Sequence, residues 1–183
     1  MMVPRRYVDL SLGDLGRALQ AICPHGDTPE LSGSLAGCER ALAKYVGVKH
    51  AVAVGSGRLA MKLVLQSLEL APGSEVVVPA YTLKDLMPII QSMGLVPVPA
   101  DVDARTFNLT AEYVSERITA KTRVIMPAHL FGNPAEMPPI LELANTHGLK
   151  VVEDCAHSLG AGVANKMAGA QGNAAFLSFE TIK

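Results

Sequence analysis

The sequence of 183 residues has no tryptophan, only three cysteines and almost no net charge. Cys23, Cys38 and Cys155 are an odd and widely spaced set, which indicates a reducing compartment and argues against a disulfide framework. The net charge of −1 offers no electrostatic reason for nucleic acid or an anionic membrane to be a partner. A cytoplasmic protein is therefore expected.

No targeting or membrane-spanning segment is recognisable. Arg5 and Arg6 near the N-terminus are not followed by the apolar stretch of a signal peptide. No apolar run is long enough to cross a bilayer, so no membrane partner is expected. Hydrophobic residues make up 49% of the chain and charged residues 18%, a balance that supports a buried core and argues against disorder.

Short β-branched runs alternate with longer helical stretches along most of the chain. Strands are predicted at residues 50–54, 75–78, 95–98, 123–126, 150–153 and 174–178, and helices at 31–46, 58–70, 83–93, 110–118 and 136–147. This order predicts an α/β fold with a mostly parallel sheet flanked by helices. Residues 1–31 are predicted to be an irregular N-terminal segment, and residues 32–183 to form the main domain.

Ligands in such folds bind beyond the carboxyl ends of the strands, and two sets of candidate residues follow predicted strands. Gly55, Ser56 and Gly57 open a helix, where small residues let the backbone approach an anion and free N–H groups point outward. A tight turn that needs glycine explains the same residues equally well. Asp154 ends another strand, where an acid caps a following helix more often than it serves a ligand.

Other chemically capable residues have ordinary structural explanations. Glu153 is expected to point to the opposite side of the strand from Asp154 and to form a structural hydrogen bond. His129 and His157 follow strands, but a lone histidine is more often structural than functional. Cys155 and His157 suggest a metal, yet no further ligand cluster supports one, so no metal site is predicted and Cys155 is expected to be a small buried side chain.

One combination of residues goes beyond these separate explanations. An acid at the end of a buried strand, followed by a serine and then a lysine, can hold pyridoxal phosphate (PLP). The acid pairs with the pyridine nitrogen, the serine helps to bind the phosphate, and the lysine forms the Schiff base. Asp154, Ser178 and Lys183 fit this pattern, although a lysine near a chain end is ordinarily a solvated charge.

In order and spacing, several motifs resemble the DegT/DnrJ/EryC1/StrS family of fold-type I PLP enzymes, which are mostly aminotransferases acting on nucleotide-linked keto sugars. The motifs are Ser56-Gly57, PGSEVVVPAYT at 72–82, Asp101-Val102-Asp103 with Thr106-Phe107-Asn108, HLFGNP at 129–134, HGLKVVEDCAH at 147–157, and Ser178-Phe179 with Lys183. The resemblance extends from about Leu31 to Lys183 and implies a PLP-binding large domain.

The resemblance also implies a role for each matching residue. Lys183 corresponds to the Schiff-base lysine, Asp154 to the partner of the pyridine nitrogen, and Ser178 to a phosphate ligand. The backbone of Gly57 and Arg58, after Ser56, corresponds to the other phosphate contact, and His157 lies where the family often has glutamine or histidine beside the cofactor ring. Leu83 occupies the position at which an aromatic ring commonly stacks on the cofactor.

Three departures from the family pattern are present. Arg58 replaces the usual threonine or alanine, and its cation either reaches the phosphate or alters the pocket. Leu83 still covers the ring but without aromatic stacking. Family members continue well beyond the lysine, so we expect the chain to be the N-terminal part of a longer protein whose small C-terminal domain is absent.

The implied activity is that of a PLP-dependent aminotransferase that moves an amino group from an amino acid, expected to be glutamate, to a keto sugar. In that reaction Lys183 would act as general acid and base, and the resemblance implies a homodimer. One alternative is a PLP- or PMP-dependent sugar dehydratase, against which the retention of Lys183 argues. The others are a non-catalytic truncated or regulatory member of the family and an unrelated α/β binding domain.

Overall fold

The computed structural model describes residues 29–163 and 166–179, with side chains from residue 35 onward. The described residues fall into two compact units, one that ends at residue 53 and one that runs from residue 54 to residue 179. The predicted irregular segment falls almost entirely on residues 1–28, outside the described residues, and the predicted boundary at residue 31 stays a prediction. Lys183 also lies outside the described residues.

In the first unit, helix α1 (Pro29–Val46) begins close to its predicted start and ends where glycine was expected to stop it. Gly47 has a φ of 84°, and its N–H donates to the Ala43 carbonyl at 2.9 Å, which closes the last turn.

The strand predicted at residues 50–54 is wrong, because this segment forms no ladder. The side chain of Val52 is 77% exposed, and the Ala53 N–H donates to Glu39 Oε1 at 2.8 Å. β-Branched residues form a strand only where a neighbouring strand packs beside them, and here a side chain on α1 takes one of the backbone hydrogen bonds instead.

The second unit has the predicted α/β architecture. In chain order its main elements are α2 (Gly57–Ser67), β1 (Glu75–Pro79), α3 (Leu86–Ser92), β2 (Val96–Ala100), α4 (Ala111–Ser115), β3 (Thr122–Ile125), α5 (Met137–His147), β4 (Lys150–Asp154), β5 (Gly162–Val163), β6 (Lys166–Met167) and β7 (Ala174–Phe176). Five strands form a parallel sheet in the order β2-β1-β3-β4-β7. The sequence did not predict the antiparallel β5–β6 hairpin or the short 3₁₀ helix Leu130–Gly132.

The helices of this unit are shorter than their apolar patterns predicted, although their caps agree with prediction. Thr110 caps α4, with its hydroxyl accepting from the Tyr113 N–H at 3.3 Å. Gly148 ends α5 in the left-handed conformation, with φ of 64°. α2 stops at Ser67, three residues early, and Glu69 has a positive φ of 50° that does not continue a helix.

Two apolar layers cover the two faces of the sheet and show which side each strand residue faces. One layer joins Met61 and Leu65 of α2 to Val152 of β4 and Phe176 of β7. The other joins residues of α4 and α5 to Val151 of β4. Because successive strand residues alternate between faces, Asp154 lies on the face covered by α2, and Glu153 lies on the face covered by α5.

Candidate functional site

Asp154 is the last residue of β4 and is only 8% exposed. Its backbone N–H donates to the Pro127 carbonyl at 2.8 Å, and its own carbonyl accepts from the His129 N–H at 3.0 Å. Carboxylate Oδ1 accepts from the Ala156 N–H at 3.0 Å, in a local turn. No helix begins in residues 155–161, all of them described, so Asp154 does not cap a following helix.

The N-terminus of α2 meets the segment that follows β7. The Ser56 hydroxyl accepts from the Leu59 N–H at 3.2 Å and caps α2. A Cβ atom added to Gly57 would lie 3.0 Å from the Ser178 Cβ and 3.4 Å from its Oγ. Glycine therefore permits the close approach, which brings the Ser178 hydroxyl beside the end of a helix whose first N–H groups have no intrahelical partner.

Ser178 and Asp154 share one face of neighbouring strands. Asp154 pairs in register with Phe176, which belongs to the apolar layer of α2. Ser178 lies two residues farther along, in contact with the first residue of that helix. A buried acid, a hydroxyl and a positive helix end therefore lie along one edge of the sheet.

Arg58, one of the two positions that depart from the family pattern, is the second residue of α2. The Arg58 guanidinium forms an ion pair with the Asp85 carboxylate, with Nη2 and Oδ2 3.4 Å apart and both side chains about half exposed. Leu83 is also about half exposed. A surface ion pair of this kind contributes about 0–1 kcal/mol to stability. Arg58 can therefore exchange Asp85 for another anion at little cost in free energy.

A cluster of exposed rings follows the carboxyl ends of β1 to β4; His157 was a candidate from the sequence, but the cluster was not. Its members are Tyr81, Phe107, Phe131 and His157, and neighbouring ring centroids lie 5.3 to 6.4 Å apart. Phe107 and Phe131 have positive φ values of 60° and 56°, a conformation that costs energy for a bulky residue. Each ring follows a strand by a few residues, which is the one sequence signal that could have identified the cluster.

Glu153 and His129 are both buried, and the structural interpretation of each is confirmed. Glu153 accepts from His129 Nε2 at 2.9 Å and from the N–H groups of Gly169, Gln171 and Gly172 at 2.9, 2.8 and 2.6 Å. Burial raises the pKa of Glu153, but these four hydrogen bonds outweigh it and hold the pKa below its ordinary value. The buried carboxylate therefore stays ionised at neutral pH.

Cys155 completes a trio with His129 and Glu153 whose potential ligand atoms lie within 4.8 Å of one another. Both Glu153 oxygens already accept hydrogen bonds, and His129 Nδ1 accepts from the Ala135 N–H at 2.9 Å. Burial and the nearby charges of Glu153 and Asp154 raise the pKa of the Cys155 thiol, whereas a metal needs the thiolate. A cation would have to displace these hydrogen bonds, which account for the placement of Glu153 and His129.

The fold and this edge of the sheet define a class of protein: an α/β domain with a helix N-terminus and a buried acid at the carboxyl ends of parallel strands. The sequence model of the DegT/DnrJ/EryC1/StrS aminotransferase family matches residues 19–183. The chain belongs to that family, whose members are PLP-dependent enzymes. No helix in the described ranges has the length and apolar character needed to cross a membrane.

Three similar proteins illustrate the relationship. GDP-perosamine synthase of Caulobacter vibrioides is 43% identical over 141 residues, covering 77% of this chain and 38% of its own. The UDP-N-acetyl-3-dehydro-alpha-D-glucosamine 3-aminotransferase of Acidithiobacillus ferrooxidans is 38% identical over 168 residues, covering 92% and 40%. The crystal structure of DesV from S. venezuelae matches with a TM-score of 0.80 and 35% identity, covering 91% of this chain and 44% of DesV. The chain thus spans less than half the length of these relatives.

Proposed function

We propose that the protein containing this chain is a PLP-dependent aminotransferase that transfers an amino group from an amino acid, with glutamate the expected donor, to a nucleotide-linked keto sugar. The observation that carries the proposal is the arrangement of Asp154 and Ser178 on one face of neighbouring strands, with Gly57 against Ser178. The names of two relatives, a GDP-sugar synthase and an aminotransferase of a dehydro UDP-sugar, support the substrate class.

The residues present fit the cofactor. Because Gly57 has no side chain, the Ser178 hydroxyl can lie against the start of α2, where a hydroxyl and the free N–H groups of a helix end suit a phosphate. Asp154 offers a mostly buried carboxylate to the protonated pyridine nitrogen. When bound, PLP supplies an electron sink for the carbanion that forms at the substrate carbon.

The roles that we propose for the other residues follow from their chemistry. Lys183 would hold the cofactor through its amine and would act as general acid and base at the donor carbon. The Asp154 carboxylate would hold the pyridine nitrogen and favour its protonated form. His157 and the half-exposed Leu83 would border the ring, where an apolar side chain would exclude water.

A homodimer and a cytoplasmic location complete the proposal. Both come from the family resemblance and from the composition of the chain. Sedimentation of the complete protein tests the first, because a monomer at micromolar concentration would contradict it.

The first test is to incubate the complete protein with PLP, reduce it with borohydride and map the labelled peptide. We expect a pyridoxyl group on Lys183, and Lys183→Ala should lose both the label and transamination. Asp154→Asn should keep the fold and lose most activity, because the pyridine nitrogen loses its charged partner. An unlabelled wild type would instead favour a dehydratase-like or non-catalytic member of the family.

A further inference from the structure

Directly behind Asp154, on the opposite face of β4, the Glu153 carboxylate joins chain segments on both sides of its strand. Oε2 accepts from His129, in the segment that follows β3. Oε1 accepts from Gln171 and Gly172, in the segment that leads into β7. Because the sheet order is β3-β4-β7, this one side chain connects three neighbouring strands at the edge where the proposed site lies.

The proton on His129 is assigned by its second partner. The Ala135 N–H donates to Nδ1 at 2.9 Å, and a backbone N–H cannot accept, so Nδ1 carries no proton. Nε2 must then carry it and donate to Glu153 at 2.9 Å. The pair is a neutral imidazole bound to a carboxylate, and its geometry is specified at both ring nitrogens.

Backbone hydrogen bonds also connect β4 to the segment that follows β3 and to the segment that leads into β7. The His129 N–H donates to the Asp154 carbonyl at 3.0 Å, and the Asn173 N–H donates to the Val151 carbonyl at 2.8 Å. A Cβ atom at Gly172 would lie 2.7 Å from the Val151 oxygen, so that segment lies directly against β4. The Glu153 side chain therefore reinforces the two backbone junctions that set where β4 ends and where β7 begins.

We propose that Glu153 and His129 form a positioning pair, which holds Asp154 and Ser178 at the spacing that the cofactor requires. The role rests on the proposed function. A ligand that touches both residues depends on the relative placement of β4 and β7, because Ser178 follows β7 by two residues and Asp154 ends β4. A pair that only contributed to stability would leave that spacing, and hence cofactor affinity, unchanged in the folded protein.

Two substitutions of His129 separate these possibilities, because each keeps one of its two hydrogen bonds. In His129→Gln the side-chain amide lies near the position of Nε2 and can still donate to Glu153, but the acceptor for Ala135 is lost. In His129→Asn the side-chain oxygen lies near the position of Nδ1 and can still accept from Ala135, but the donor to Glu153 is lost. The two variants therefore serve as matched controls for each other.

The measurement is the dissociation constant for PLP in the complete protein, by absorbance titration, with urea unfolding as the control for stability. We expect His129→Asn to bind PLP about tenfold or more weakly, the loss typical of a missing hydrogen bond to a charged group. His129→Gln should stay within about threefold of wild type, although both variants should unfold at lower urea concentration. Equal dissociation constants for the two variants would overturn the proposal.

A second measurement needs no cofactor. In the unliganded protein, amide hydrogen exchange at Gly169, Gln171 and Gly172 should be faster in His129→Asn and unchanged in His129→Gln, and identical exchange in both variants would also overturn the role. If His129→Asn does not fold, Glu153→Asp takes its place: it keeps the charge, shortens the reach and should likewise weaken PLP binding. A wild type that binds no PLP refutes the proposed function and this role together, whereas wild-type binding with equal variants refutes this role alone.

Discussion

The Arg58 guanidinium lies 3.4 Å from the Asp85 carboxylate, so the cation at the start of α2 is paired with an acid at the start of α3. If Arg58 exchanges this partner for the cofactor phosphate, Asp85 competes with the ligand. Asp85→Asn should then strengthen PLP binding by about two- to fivefold, the worth of an exposed ion pair. In an Arg58→Ala background, the same substitution should have almost no effect. A double-mutant cycle of PLP titrations measures this, and additive effects would contradict it.

A second prediction concerns the contact of Gly57 with Ser178. Gly57→Ala places a Cβ atom 3.0 Å from the Ser178 Cβ, so Ser178 must move and PLP binding should weaken by about tenfold. Gly55→Ala is the matched control, because a Cβ atom there meets nothing within 4 Å, and its dissociation constant should equal that of wild type. Equal affinities in the two variants would show that the Gly57 contact does not shape the phosphate site.

The low pKa of Glu153 predicts how stability depends on pH. Four hydrogen bonds hold the pKa of the folded carboxyl below the ordinary glutamate value of 4.5, so the folded state binds a proton less readily than the unfolded state. This stabilisation is fully present above about pH 4.5 and is lost as the pH falls through the folded pKa. Urea unfolding at a series of pH values should therefore show that the stability difference between wild type and Glu153→Gln decreases below pH 4.5. A constant difference down to pH 3 would argue against an ionised Glu153.

The two described cysteines should differ in reactivity. Burial raises the pKa of the Cys155 thiol, whereas Cys38 is exposed, and only the thiolate reacts with alkylating agents. Iodoacetamide at pH 8 should label Cys38 in the native protein and leave Cys155 unlabelled until the protein is denatured, as peptide mass mapping would show. Native labelling of Cys155 at the rate of Cys38 would mean that the β4 end opens readily.

Hydrophobic periodicity was sufficient to predict the order of the α-helices and of the five parallel strands in the second unit. β1, β3 and β4 are short runs buried on both faces, which only a parallel sheet with covering helices accommodates. The prediction of a strand at residues 50–54 was wrong for the opposite reason. The Val and Ala residues of this segment suit a strand, but a strand forms only where a neighbouring strand pairs with it, and local sequence does not reveal that neighbour. The early end of α2 likewise depended on the backbone, which has a positive φ at Glu69.

In the candidate site, too, some residues could be predicted from the sequence and others could not. Asp154, Gly57 and Ser178 could be selected from the sequence because each follows a strand or begins a helix, and parallel topology places such positions at one edge. The ring cluster could not be predicted, because Phe107 and Phe131 depend on positive φ values in loops. The hydrogen bonds to Glu153 also depend on a loop, residues 169–172, that carries no periodic signal.

The two prolines of β2 determine how the sheet ends. The N–H of Val96 donates inward to the Ser74 carbonyl at 2.9 Å, so by alternation positions 97 and 99 would direct their N–H groups away from β1. Both are proline, and neither has an N–H to offer. An incoming strand would find acceptors along this border but no donors at those two positions, so the β2 side resists growth of the sheet by strand addition. Self-association at this border would therefore have to use side chains and not a continued ladder of backbone hydrogen bonds.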